Sequence, residues 1–349
     1  MNKTATTVLF LSGREPSYTR NSVILNALKK NYDVIDISSS SKSYLVRYVK
    51  ILFKYIMNRR DYDLVYIGFY GQPLVLLIRF FTKKFIIFDA FISTYQTLCF
   101  DRKTFKPNSI IGRAAFILDK YACLLSDVVL LDTKAHIEYF VRTYKLDENK
   151  FRRVFVGADE SLFKPKENDL VEQQLVFFYG EYQPLHGIDV IVKAAKILSN
   201  EKVRFRIIGK GIEKNRVVML AKSIQADNVQ FIDWVPYQQL PLEISKADIC
   251  IGGHLGITQK AGMVIAGKTF QFVAMRKPTL VALNKANQEL FGMEPKPYFI
   301  KPGDPDDLAE NILKIIKNKE LKTQIINDQA EAYSKLASNN AISRSISAI

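Results

Sequence analysis

The sequence predicts an α/β protein made of two doubly wound parallel sheets facing a central cleft, and three observations predict it. Short apolar runs alternate with longer amphipathic stretches over the whole chain, the pattern of strand–helix repeats around parallel sheets. The length, 349 residues, suits two domains. The stretch 158–174 (ADESLFKPKENDLVEQQ) is charged, contains Pro165, lacks strong periodicity and separates two halves of similar plan. It reads as the linker, giving domains 1–172 and 173–349. Ligands of such sheets bind at the carboxyl ends of the strands, so the cleft is the expected site.

In the first half, strands are expected at 7–11, 33–37, 64–67, 85–88, 128–131 and 153–156. Most are compact apolar runs, as strands buried on both faces require, though 33–37 (DVIDI) carries two aspartates. Helices fit the longer segments near 20–30, 44–59, 72–82, 110–126 and 134–144. The second half repeats the plan. Strands fit 175–179, 204–208, 229–232, 249–252 and 279–282, and helices fit 187–199, 212–226, 238–246, 267–276 and 304–317. A last helical stretch at 320–336 leads into a Ser/Asn-rich tail.

Composition bounds the function. Hydrophobic residues are 48% and charged residues 24%, which excludes a disordered chain. No run reaches the roughly 18 apolar residues of a membrane span, and the longest, 74–88, is broken by Arg79, Lys83 and Lys84. No secretory signal is expected, because the apolar run at 8–11 is short. Cys99, Cys123 and Cys250 are too scattered for a disulfide framework or thiolate metal site, and a reducing cytoplasm is the expected compartment. The histidines are scattered too, so no metal is expected. Net charge is +15, and residues 1–113 hold 18 basic against 7 acidic side chains. Such an excess suits nucleic acid, an anionic membrane or phosphorylated substrates. No nucleic-acid module is recognisable, and the aromatic residues lie mostly in apolar runs, so nucleic acid is not the expected partner.

Several segments carry candidate chemistry. In 262–278 (GMVIAGKTFQFVAMRKP), Ala266, Gly267 and Lys268 open a helix. A helix start offers unpaired N–H groups and partial positive charge to a diphosphate. Gly267 would allow close approach, Lys268 would add a full charge, and Gln271, one turn on, could hold ribose hydroxyls. The bland reading is a capped helix with an exposed lysine. In 177–188 (FFYGEYQPLHGI), a strand runs into Gly180, and His186 and Gly187 precede a helix. His186 reads as a neutral hydrogen-bonding group or a packing histidine. Gly209 and Gly211, in IIGKG, read as a tight turn at the cleft rim. In 11–21 (LSGREPSYTRN), Gly13 follows the first strand, and Arg14, Tyr18, Arg20 and Asn21 supply donors, arginine being suited to phosphate. Asp89 ends a strand, where a carboxylate either serves a site or caps the next helix. In 44–60 (YLVRYVKILFKYIMNRR), Arg47, Lys50, Lys54 and Asn58 recur at helical spacing as a polar stripe. This helix either lies in an anionic membrane interface or covers a sheet with its stripe in water.

In this order, the segments resemble the group 1 glycosyltransferases, whose architecture of two Rossmann-like domains is termed GT-B. GEYQPLHGIDVIVKAAKIL, VQFIDWVPYQQLPLEISKADICIG, KTFQFVAMRKPTLVA and KPGDPDDLAENIL carry the resemblance in the second half, and VGADESLFKP at the exit from the first. It implies transfer of a sugar, with retention, from a nucleotide-diphosphate-sugar to a glycan or lipid-linked acceptor. Surface polysaccharide or glycolipid assembly, a cytoplasmic and peripheral membrane setting, and no cofactor or metal follow from it. The second domain would bind the donor and the first the acceptor. Donor-side residues would be Gly180, His186, Gly187, Gly209, Gly267, Lys268 and Gln271. Gly13 and Arg14 would close over the diphosphate, Lys268 would neutralise the leaving charge, and Asp89 would contact acceptor or sugar. Where the family commonly has an arginine and a lysine on the diphosphate, this chain has Glu181 and His186. Of its two glutamates, the second matches Gln271 and the first falls on Met263. The alternatives are a nucleotide-sugar epimerase of the same architecture and a catalytically silent nucleotide-sugar-binding subunit.

Overall fold

The structure, a computed structural model, describes residues 6–58, 60–166 and 174–349. The chain forms two units, 1–157 with 339–349, and 158–338. The boundary read at 172/173 lies outside the described residues. Residues 339–349, read as part of the second domain, belong to the first unit.

The first unit holds β1 (Thr7–Ser12), β2 (Asp33–Ile37), β3 (Leu64–Gly68), β4 (Phe85–Asp89), β5 (Val128–Leu131) and β6 (Phe151–Arg153). They form one parallel sheet in the order β2-β1-β3-β4-β5-β6. Residues 8–11 and 129–131 are wholly buried, which is why their sequence is continuously apolar. The strand order reverses between β1 and β3, and the loops beyond these two strands meet. A Cβ on Gly13 would lie 1.8 Å from the Tyr70 carbonyl oxygen, so only glycine fits.

The last strand departs from its expected span of 153–156. Val154 still donates to the Leu131 carbonyl, but the carbonyls of Val154 and Phe155 accept from the Arg20 guanidinium instead of from a strand. The apolar run is buried without remaining in the ladder. The expected tail is also corrected, since Asn339–Ser347 is a helix. Its Ile342 and Ile346 pack on Val23, Ile24 and Leu28 of helix Thr19–Lys29, and Asn31 donates to Ser343 and Ser347. The spacing of Ile342, Ile346 and Ile349 is helical, but the polar residues between them mask it.

Helix Tyr44–Met57 corrects one member of its expected polar stripe, Arg47, while Lys50 and Lys54 remain exposed. Arg47 is buried, donating to the carbonyls of Gly13 (2.8 Å) and Ser41 and to Glu15 (3.1 Å). Ile51 and Tyr55 face inward with it, while Leu45, Val49, Phe53 and Ile56 face outward.

The second unit holds β7 (Gln174–Tyr179), β8 (Val203–Ile208), β9 (Val229–Ile232), β10 (Ile249–Gly253), β11 (Thr279–Ala282) and β12 (Phe299–Ile300). This sheet is parallel in the order β12-β11-β10-β7-β8-β9. Its order reverses between β7 and β10, so the crevice where ligands bind such sheets lies beyond Tyr179 and Gly253. β12 and helix Lys285–Phe291 were not legible in the sequence, the first being two residues long and the second seven.

The loops at this edge are held by backbone contacts. Gly209 has φ +153°, and a Cβ there would lie 1.9 Å from the Gly180 carbonyl oxygen. Gly209→Ala is therefore expected to lose about 1–3 kcal/mol from backbone strain, with the clash adding to it. Urea denaturation monitored by circular dichroism measures it, and an unchanged midpoint would contradict the assignment.

Candidate functional site

Helix Gly267–Ala274 begins at the reversal point of the second sheet. Its N-cap, Ala266, is extended and offers no side-chain acceptor. The first N–H groups thus carry the partial charge of an uncapped helix start. A Cβ at Gly267 would meet nothing within 4 Å, so the ground over this start is open.

Lys268 is one residue into the helix, and helical side chains lean toward the N-terminus. Its residue is only 6% exposed. Nζ is 4.3 Å from the centroid of Phe178, which ends near the tip of β7, and 3.2 Å from His186 Nδ1. Gly180 makes this position available, because a Cβ there would lie 2.8 Å from Nζ. The neighbours are thus an aromatic face, an imidazole and glycine backbone. Burial pushes the Lys268 ammonium down to about 7, and the charge of Glu181 offsets part of this.

His186 stands in the short turn Pro184–His186, and Gly187, with φ +61°, turns the chain into helix Ile188–Ile197. Its ring stacks on His254 with centroids 5.0 Å apart and planes at 26°. His254 Nδ1 lies 3.1 Å from the Val264 carbonyl, which can only accept, so Nδ1 carries the proton. His186 Nδ1 correspondingly accepts from the ammonium of Lys268. Burial, then Lys268, holds His254 down at about 3. Burial first, then Lys268 and His254, also depresses His186 well below the ordinary imidazole range. Both rings are therefore neutral hydrogen-bonding groups at neutral pH. One titratable ammonium and two neutral rings lie beside an open helix start, with the Glu181 carboxylate as the nearby negative charge.

Gln271 lies one turn further on, buried. Its Nε2 donates to the Tyr237 hydroxyl at 3.0 Å, while Oε1 is buried without a hydrogen-bond partner. A buried acceptor left unpaired is costly, and a ligand hydroxyl would satisfy it. Tyr237 is itself set edge-on to Phe163, with ring centroids 5.4 Å apart. Met263, where the family resemblance places a sugar-contacting carboxylate, is nearly buried.

Among the residues singled out by sequence, the structure brings Gly180, His186, Lys268 and the start at Gly267 together, with Gly187 and Gly209 shaping the adjacent turns. It also adds His254, Phe178 and Tyr237. His254 follows β10 directly, and its place past a strand end was the available signal. The third histidine, His136, is elsewhere, buried against Asp132 at 2.9 Å in the first unit.

The first unit corrects the role given to Asp89. It is wholly buried, and both carboxylate oxygens are taken by Arg20, at 2.8 and 3.0 Å. Such a carboxylate has no free face toward a substrate; it balances the guanidinium that also holds the carbonyls of Val154 and Phe155. Gly13 serves the loop contact with Tyr70. Arg14 is partly exposed, paired with Glu15 at 3.1 Å and donating to the Tyr44 hydroxyl. Its guanidinium carbon is 5.4 Å from the Tyr18 ring centroid. Among the described residues no group of three His, Cys, Asp or Glu side chains is placed to hold a metal ion.

The family described as glycosyl transferases group 1 matches residues 159–332. No protein of curated function matches the sequence. Solved structures share its fold at low identity. HepE of Anabaena, in complex with UDP and glucose, is 16% identical with a TM-score of 0.69, covering 98% of each chain. The sucrose-phosphate synthase of Thermosynechococcus elongatus is 13% identical with a TM-score of 0.75, again over 98% of each chain. A glycosyltransferase of Rickettsia africae is 14% identical with a TM-score of 0.68, covering 99% of this chain and 97% of its own.

Proposed function

The chain belongs, through residues 159–332, to the group 1 glycosyltransferases, and from that premise we propose how it works. The donor is a nucleotide-diphosphate-sugar whose diphosphate rests at the start of helix Gly267–Ala274. The sugar passes, with retention, to a glycan or lipid-linked acceptor of surface polysaccharide or glycolipid assembly. The second unit is the donor half and the first the acceptor half. The observation that carries this is Lys268, a buried ammonium whose direct contacts, the Phe178 ring and His186, are neutral, beside an uncapped helix start.

Each group has a task in that reading. The Lys268 ammonium and the N–H groups of the helix start stabilise the negative charge that grows on the leaving diphosphate. His186 holds the ammonium in place through Nδ1 and, being neutral, does not compete with it for the anion. The free Oε1 of Gln271 accepts from a ribose hydroxyl. The departing phosphate helps take the proton of the acceptor hydroxyl, so no pair of carboxylates is needed. The bound UDP and UDP-glucose of HepE make uridine nucleotides the first donors to test.

A thermal-shift panel of nucleotides and nucleotide-sugars tests the reading. A ligand of the folded state raises the melting temperature, by about 2.7 kcal/mol of added stability at a hundredfold excess over Kd. At least one nucleoside diphosphate is expected to do so, and a panel with no shift would contradict the proposal. Gln271→Leu is expected to weaken that nucleotide by about 1–2 kcal/mol through loss of a hydrogen bond, read by the same titration. Met263 favours a second reading, a subunit that binds the donor without turning it over. Donor binding with no product over any acceptor pool would select it.

A further inference from the structure

In the first unit, every exposed large apolar side chain among the described residues falls between 44 and 124. The topology gathers them. The connections β2 to β3, β3 to β4 and β4 to β5 all step in the same direction across the sheet, whereas β1 to β2 steps the other way. Right-handed crossovers therefore put helices Tyr44–Met57, Gln72–Arg79 and Ile110–Leu125 on one face, and Thr19–Lys29 on the other. The three helices pack in that order, side by side.

Their outer surface is apolar. Tyr44–Met57 turns outward Leu45 (74% exposed) and Phe53 (66%), with Val49 and Ile56 between and beyond them. Leu77 and the residues just past Gln72–Arg79 continue the surface, with Phe80 86% exposed and Phe81 beside Tyr55 at a ring distance of 6.1 Å. Ile110–Leu125 adds Ile110 (88%), Ile117, Tyr121 and Leu124, which share one helical stripe. The opposite face of the sheet differs, because the chain covers it with its own helix Asn339–Ser347. Soluble surfaces rarely leave a continuous apolar area of this kind without a partner.

The charge identifies the partner. Residues 44–124 hold 13 basic and 5 acidic side chains. Two of those acids, Asp89 and Asp119, are buried within hydrogen-bond networks. Lys50, Lys54, Lys83, Lys84 and Arg113 are exposed among the apolar groups. A second copy of the chain would bring like charge against like. An apolar face set with lysines matches the headgroup region of an anionic bilayer, where lysine and arginine meet negative lipid while apolar side chains enter the acyl boundary.

We propose that the helix face formed by Tyr44–Met57, Gln72–Arg79 and Ile110–Leu125 docks the protein onto the anionic leaflet of a membrane. The contact is interfacial, as among the described residues no helix is long and apolar enough to cross a membrane. It deepens the reading above and rests on it for its purpose, bringing the acceptor half to a lipid-linked substrate.

Flotation of the intact protein with phosphatidylcholine vesicles, with and without about one third phosphatidylglycerol, tests it. The protein is expected to float with the anionic vesicles and to be released by salt. Phe53→Glu with Phe80→Glu should lower partitioning at least about tenfold. Both side chains are exposed, so the melting temperature and the nucleotide-induced shift should stay unchanged. Wild-type protein that ignores anionic vesicles, or a variant that floats equally well, overturns the proposal. So does a dimer in sedimentation that the same substitutions dissociate, which would assign the face to a second copy. A nucleotide shift without flotation would sink the membrane face alone, and flotation without a nucleotide shift would sink the donor reading alone.

Discussion

Replacing Lys268 with methionine is expected to lower kcat/KM for the donor about 100- to 1,000-fold, the usual effect of removing one pre-placed charge or donor from a developing anion. The same change should make the unliganded protein more stable below neutral pH. Burial holds the ammonium near 7 in the folded chain against 10.5 in the ordinary state. Between those values the unfolded chain binds more protons, so stability rises with pH through that window. Below pH 7 the penalty is fully present, with an upper bound of about 4–5 kcal/mol from the size of the displacement. Methionine removes the charge and keeps an apolar contact with Phe178. The paired outcome, activity down and melting temperature up at pH 6, is read by steady-state kinetics and calorimetry. A lysine that merely packs would give the stability gain without the loss of activity.

Asp89→Asn is the second large expectation, and its sign separates two roles. Arg20 and Asp89 are both fully buried and doubly hydrogen-bonded to each other. Neutralising the acid leaves a guanidinium in the core with its charge uncompensated, at a cost of about 3–5 kcal/mol. Urea denaturation should report that loss. Replacing both partners, Arg20→Met with Asp89→Leu, should restore much of it, since an apolar pair tolerates burial better than a half-broken ion pair. A variant that is as stable as the parent but fails to turn over would return Asp89 to the catalytic role first read for it.

Much of the fold was legible because parallel strands buried on both faces leave unbroken apolar runs. β1, β3, β4 and β5 of the first sheet and β7, β10 and β11 of the second all announce themselves this way. What failed was orientation and partnership. Arg47 looked like the water-facing member of a stripe, and only the loop carbonyls of Gly13 and Ser41 make its burial possible. Those loops are more than thirty and about six residues away from it in the chain, and no periodicity records them. Asp89 at a strand end looked available for the same reason: Arg20, its partner, is 69 residues away. The candidate site was legible at Gly180, His186 and Lys268, which the structure brings together, because each follows a strand or starts a helix. His254 and Tyr237 were missed, since their contribution depends on which loops the sheet order brings together.

The central claim is that Lys268 meets a diphosphate as a charged group although burial holds it half-protonated near neutrality. Calorimetric titration of a nucleoside diphosphate at pH 8, in buffers of different ionisation enthalpy, tests this directly. Binding should draw a proton from the buffer, and affinity should fall toward higher pH by up to about tenfold per unit above 7. Lys268→Met should abolish the uptake along with most of the affinity. Tight binding with no proton uptake in the parent, or uptake that persists in Lys268→Met, would contradict it.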